Sequence, residues 1–170
     1  MKKVLNIILS LFAFASIAAI QSCNSNPCKD IVCQNNGTCR EGACACPSGF
    51  EGNFCQSKAS DKFIGYWQGF KRVNGGKDID VTMIIAPGDG PTKVKMYALS
   101  FVGDFIPVIA NVNLTDIAIP QQVAEGGSNY QYRGHGNLEK YKYMHIWYEE
   151  TDNLGVLRNC IFEGTKIVAP

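Results

Sequence analysis

Apolar and polar residues alternate through the second half of the chain. Ile79, Val81, Met83 and Ile85 alternate with Asp78, Asp80, Thr82 and Ile84 over one uninterrupted run, the period of two expected of a strand. Turn residues bracket it, Asn74-Gly75-Gly76 before and Pro87-Gly88-Asp89-Gly90-Pro91 after, which is the punctuation of hairpins. The same signals predict strands over 62–72, 78–85, 92–101, 106–112, 113–119, 128–135, 138–149 and 155–163. No stretch beyond Phe63 combines helical spacing with a capping signal. Residues 62–170 are therefore predicted to form one all-β domain, an antiparallel up-and-down meander of about eight strands closed or partly open as a barrel, because closure removes exposed strand edges.

The N-terminus carries a different pattern. Met1-Lys2-Lys3 is a short basic start, and Val4 to Ile20 is apolar except for Asn6, Ser10 and Ser16. This is the signature of a signal peptide over residues 1–22. Ile20-Gln21-Ser22-Cys23 resembles the lipobox of bacterial lipoproteins, which implies lipidation of Cys23 and a membrane anchor. Ser16-Ile17-Ala18 and Ile17-Ala18-Ala19 also offer small-residue sites for ordinary secretion. Cysteine parity links the two alternatives. The chain has eight cysteines, and only Cys23 and Cys160 fall outside one dense block; lipidation of Cys23 leaves Cys160 unpaired, whereas a free Cys23 allows the two to bridge.

That block is Cys28, Cys33, Cys39, Cys44, Cys46 and Cys55, in the spacing C-x4-C-x5-C-x4-C-x-C-x8-C. A segment this short has no room for an apolar core and holds one shape only when cross-linked, which requires an oxidising compartment. Spacing alone leaves 15 connectivities open. With Asn36-Gly37-Thr38-Cys39 and Cys46-Pro47-Ser48-Gly49-Phe50-Glu51-Gly52-Asn53-Phe54-Cys55, the block resembles an epidermal growth factor-like (EGF-like) module. The resemblance implies bridges Cys28–Cys39, Cys33–Cys44 and Cys46–Cys55. The organisation is thus a signal peptide 1–22, a lipidated tether 23–27, an EGF-like module 28–55, a polar linker 56–61 and the β domain 62–170.

Sixteen basic and fifteen acidic side chains give a net charge of +1. Without a cluster of Lys and Arg, no nucleic-acid partner is expected. The cysteine block contains no histidine for a zinc site. Asn24-Ser25-Asn26-Pro27 has no carboxylate, and Arg40-Glu41-Gly42-Ala43 is too short and poorly equipped for the several charged oxygens that calcium needs, so neither a metal nor another cofactor is expected.

Lys62-Phe63-Ile64-Gly65-Tyr66-Trp67-Gln68-Gly69 is similar to the Gly-x-Trp opening strand of lipocalin-type barrels. In that family an arginine of the last strand covers the tryptophan, which implies Arg158 over Trp67, a contact of about 0.5–2 kcal/mol. Together with Thr115-Asp116-Ile117-Ala118-Ile119-Pro120-Gln121-Gln122-Val123, the whole plan resembles small lipocalin-like or calycin-like lipoproteins of Bacteroidetes-type bacteria. Their location implies export and anchoring to the bacterial envelope, at the outer membrane.

Catalytic constellations are lacking. Tyr141, Tyr143, His145 and Trp147 share one face of a strand and read as lining residues. His135, between Gly134 and Gly136, reads as an exposed turn or bulge. Glu149, Glu150 and Asp152 read as a solvated strand end, and Cys160 as a small buried apolar residue. No enzyme is expected. The expectation is a lipid-anchored envelope binding protein: an EGF-like stalk presents a barrel lined by Phe63, Trp67, Tyr143, His145, Trp147, Arg158 and Phe162. The barrel would hold a small apolar ligand or meet an envelope partner. The alternative is a structural or adhesive envelope protein with a filled barrel, recognising protein or glycan through its exposed loops.

Overall fold

The computed structural model describes residues 26–99, 107–124, 129–140 and 142–168. The signal peptide, the lipobox and Cys23 lie outside them. No α-helix occurs among the described residues.

Two small hairpins form the EGF-like module. β1 (Thr38–Arg40) pairs with β2 (Ala43–Ala45), placing Cys39 opposite Cys44, and β3 (Phe50–Glu51) pairs with β4 (Ser57–Lys58). The bridges are Cys28–Cys39, Cys33–Cys44 and Cys46–Cys55. Each closes a loop of roughly ten residues and removes unfolded-state entropy worth about 2.5–3 kcal/mol.

The expected linker is part of the fold. Ser57 and Lys58 extend the module as β4, Asp61 accepts the Lys58 N–H at 2.8 Å, and Ala59 and Ser60 are buried. This segment carries the module against the barrel. The Ser60 N–H donates to the Pro91 carbonyl at 3.0 Å, and Lys62 Nζ pairs with Glu51 at 2.6 Å. Gly49 has φ +87°, and a Cβ there would lie 2.8 Å from Pro91 Cγ. The proline-glycine loop that punctuates the sequence is therefore also the docking point of the module.

Eight strands close the barrel: β5 (Gly65–Val73), β6 (Asp78–Pro87), β7 (Lys93–Tyr97), β8 (Val108–Asn113), β9 (Asp116–Val123), β10 (Gln131–Glu139), β11 (Tyr143–Thr151) and β12 (Leu157–Ile167). Every neighbour is antiparallel, and β12 returns to pair with β5. Two turns fall later than the alternation places them. Leu114 (φ 50°) turns β8 into β9, and Lys140 (φ 47°) ends β10, so His135 stands within a strand and not in a turn. Its flanking glycines serve close strand packing instead.

Trp67, Met83, Met96, Tyr132, Ile146 and Phe162 fill the interior, each at most 2% exposed. Trp67 is held by a hydrogen bond from Nε1 to the Phe63 carbonyl at 2.8 Å. Meander topology gives the barrel two distinct ends. The β6–β7 loop, against the EGF-like module, defines the base; the β11–β12 turn lies at the opposite rim. Nine tilted residues of β11 separate base from rim, roughly 20 Å along the axis.

Candidate functional site

Near the rim the interior turns ionic. Glu150 is fully buried and accepts a hydrogen bond from the Tyr132 hydroxyl at 3.2 Å. Arg158 reaches Glu150 at 3.3 Å and Asp152 at 2.7 Å. Asp152 also accepts the N–H groups of Leu154 and Val156 at 2.9 Å, which fixes the β11–β12 turn. Those N–H groups, with Arg158, hold the Asp152 carboxyl below its usual range. Glu150 and Asp152 are thus not a solvated strand end. Carboxylates at an inward register position need the guanidinium that β12 supplies.

Arg158 consequently does not cover Trp67. Lys166, directly opposite Trp67 in the β12–β5 register, stands over the indole with Nζ 5.7 Å from the ring centroid. Cys160 lies inward, buried and free, and desolvation pushes its thiol up to about 11.

Tyr143, His145 and Trp147 are on the outer face of β11, whereas Met144, Ile146 and Tyr148 point inward and are buried. Alternation pairs residues on a face but does not say which face is in. Of the expected lining, Phe63, Trp67 and Phe162 are interior; Tyr143, His145 and Trp147 are not; Arg158 belongs to the rim network.

Those outer residues form a strip. Trp147 stacks with His145 (ring centroids 5.5 Å apart, planes 7° apart) and with His135 across the β10–β11 pair (5.6 Å, 25°). Tyr143 meets His145 edge-on at 4.6 Å, and its hydroxyl donates to Glu163 at 3.0 Å. His145 Nδ1 is 3.4 Å from the other Glu163 oxygen, but it is buried and too poorly aligned for a hydrogen bond. Trp147 itself is 40% exposed.

Towards the rim the strip opens into a groove of about 500 Å3 between His135, Trp147, Asn159 and Ile161. Gly134 lies beside its floor; a Cβ there would sit 2.4 Å from the Trp147 carbonyl oxygen and 2.7 Å from Tyr148 Cβ. The exposed pair Arg133–Glu149, at 2.6 Å, separates it from a second groove of about 300 Å3 lined by Gln121, Gln131, Thr151 and Leu157. Both grooves border Arg133 and Glu149. The β9 strand is irregular alongside, because Ile119 and Gln122 flank Pro120 and Gln121 against the single residue Arg133. Proline tolerates that bulge because it has no N–H to leave unpaired. Sequence reasoning missed Arg133, Asn159 and Gln131, none of which carries a motif, and gave Gln121 no role beyond its place in the Thr115–Val123 segment. Their signal is register: they become one site only when β9 to β12 are aligned.

The molecule is an EGF-like module joined to a closed eight-stranded meander barrel, with a two-compartment groove on the barrel's outer wall. Residues 23–55 match the EGF-like domain family. No curated protein matches the chain. A solved structure described as a redesigned beta barrel is similar over 66% of this chain and 98% of its own length, at 14% identity and a TM-score of 0.46.

Proposed function

We propose that this is an exported, lipid-anchored recognition protein of the bacterial envelope, in which the EGF-like module is a stalk and the outer wall of β10–β12 is the binding face. One observation carries the reading: the interior is occupied by side chains, while Trp147, a bulky apolar residue, stays exposed beside grooves on the outer wall. Small barrels fill themselves in this way, and exposed aromatic patches mark interaction sites. The position supports it, since the groove lies in the half of the barrel away from the module. Firm docking of module on barrel would hold the face outward. The reading moves from interior carriage of an apolar ligand to recognition at the surface, with binding and not catalysis as the role.

Native mass spectrometry of protein isolated from its host tests both halves. The expected species carries acyl chains on Cys23 and no small apolar passenger. A retained apolar molecule would return the function to carriage, and an unmodified N-terminus beyond Cys23 would remove the anchor.

A further inference from the structure

We propose that the ligand of this face is a neutral oligosaccharide, an inference that rests on the face being the binding surface. The charges of the groove are already matched: Arg133 Nε and Glu149 Oε2 are 2.6 Å apart. An anionic ligand would need surplus cations there, and a cationic one surplus carboxylates. The other polar groups along the groove are the imidazole of His135, the amides of Gln121, Gln131 and Asn159 and the hydroxyl of Thr151, while the hydroxyls of the lining residues Tyr132 and Tyr148 are spent on Glu150 and the Leu99 carbonyl. Amides and hydroxyls both donate and accept, so they complement a ligand whose every polar group also does both. Vicinal hydroxyls have that property. A guanidinium paired with a carboxylate adds a fixed donor fork next to a fixed acceptor, suited to adjacent hydroxyls without any net charge.

The second compartment supplies what a sugar ring also needs, an apolar surface for its C–H groups, in Trp147 and Ile161. Two compartments on either side of the Arg133–Glu149 pair call for a ligand of at least two linked rings. Protein partners fit less well. An extended peptide binds a sheet by adding a strand at its edge, and closure of β12 on β5 leaves this barrel with no edge. A docked amphipathic helix needs a continuous apolar stripe, which the polar second compartment interrupts.

The test uses the purified full chain, with all three bridges formed, against an array of neutral oligosaccharides, anionic oligosaccharides and unstructured peptides. Neutral oligosaccharides are expected to bind, with affinity changing less than about twofold between about 50 and 200 mM salt. Trp147→Ala should weaken binding about tenfold or more. Asn159→Ala, at an exposed position that leaves the strand intact, should weaken it roughly threefold to tenfold. Binding of peptides or anionic sugars alone, abolished by Trp147→Ala, would overturn the ligand class and leave the face standing. Oligosaccharide binding indifferent to both substitutions would overturn the face itself, and with it this inference. Retention of no probe at all would also overturn it.

Discussion

Lys166 stands over Trp67, its Nζ 5.7 Å from the centre of the indole ring. The two residues are direct partners in the β12–β5 register, so the ammonium closes the base of the barrel beneath the largest buried side chain. An exposed cation–π contact is worth about 0.5–1 kcal/mol, whereas emptying the site of a buried tryptophan costs about 3–5 kcal/mol. Urea unfolding of Lys166→Met and Trp67→Ala is expected to give losses in those two ranges. Equal losses would mean that the lysine does more than cap the ring.

Gly49 is the contact through which the EGF-like module meets the β6–β7 loop. Its φ of +87° and the 2.8 Å approach to Pro91 leave no room for a methyl group. Gly49→Ala is expected to separate module from barrel without unfolding either. The Ser60 amide, bonded to the Pro91 carbonyl at 3.0 Å, should exchange with deuterium about tenfold faster or more, while amides of β11 keep their protection. Unchanged exchange at Ser60 would show that the docking does not depend on this contact.

Cys160 should be inert in the folded protein. It is buried among barrel side chains, and desolvation pushes its thiol up to about 11, so little thiolate exists near neutrality. Maleimide labelling at pH 8 is expected to run at least roughly a hundredfold slower in native than in urea-unfolded protein. Rapid native labelling would place the thiol in a wetter setting than the barrel interior.

Asp152 makes the rim acid-sensitive. The Val156 N–H, with Arg158 and the Leu154 N–H, lowers its pKa, so the folded state binds this proton more weakly than the unfolded chain does. The resulting stability is present above the unfolded carboxylate range and is lost as pH falls through the lowered folded value. The urea midpoint of the native protein is expected to drop below about pH 5. It should drop less steeply in Asp152→Asn, which keeps an acceptor for the turn and has no proton to gain. Parallel curves would remove Asp152 from the account of acid sensitivity.

The barrel was legible because its signals are local. Period-two runs such as Asp78 to Ile85, closed by Asn74-Gly75 and by the Pro87–Pro91 loop, state a strand and its ends without reference to the rest of the chain. The three bridges became legible through the EGF-like resemblance. What escaped was relational. Both faces of β11 are apolar or aromatic, Tyr143-His145-Trp147 on one and Met144-Ile146-Tyr148 on the other, so alternation could not decide which pointed inward. The larger rings suggested the wrong face. Glu150 decides in the structure, because its register position is interior and Arg158 is there to meet it. That same ion pair places Arg158 at the rim, about eight residues along β12 from Trp67's partner Lys166. The groove depends on three strand registers and the Pro120 bulge, none of which is written in any single segment.

Hydroxyl-radical footprinting, with and without a bound neutral oligosaccharide, tests the central claim most directly. The chain has two tryptophans, one interior and one on the outer wall, and each reports on one reading. Free protein is expected to be oxidised at Trp147 and His135 and spared at Trp67. Saturating ligand should shield Trp147 and His135 and leave Trp67 unchanged. Ligand that binds without shielding Trp147, or that alters the labelling of Trp67 instead, would contradict the account and put recognition somewhere other than the outer wall of β10–β12.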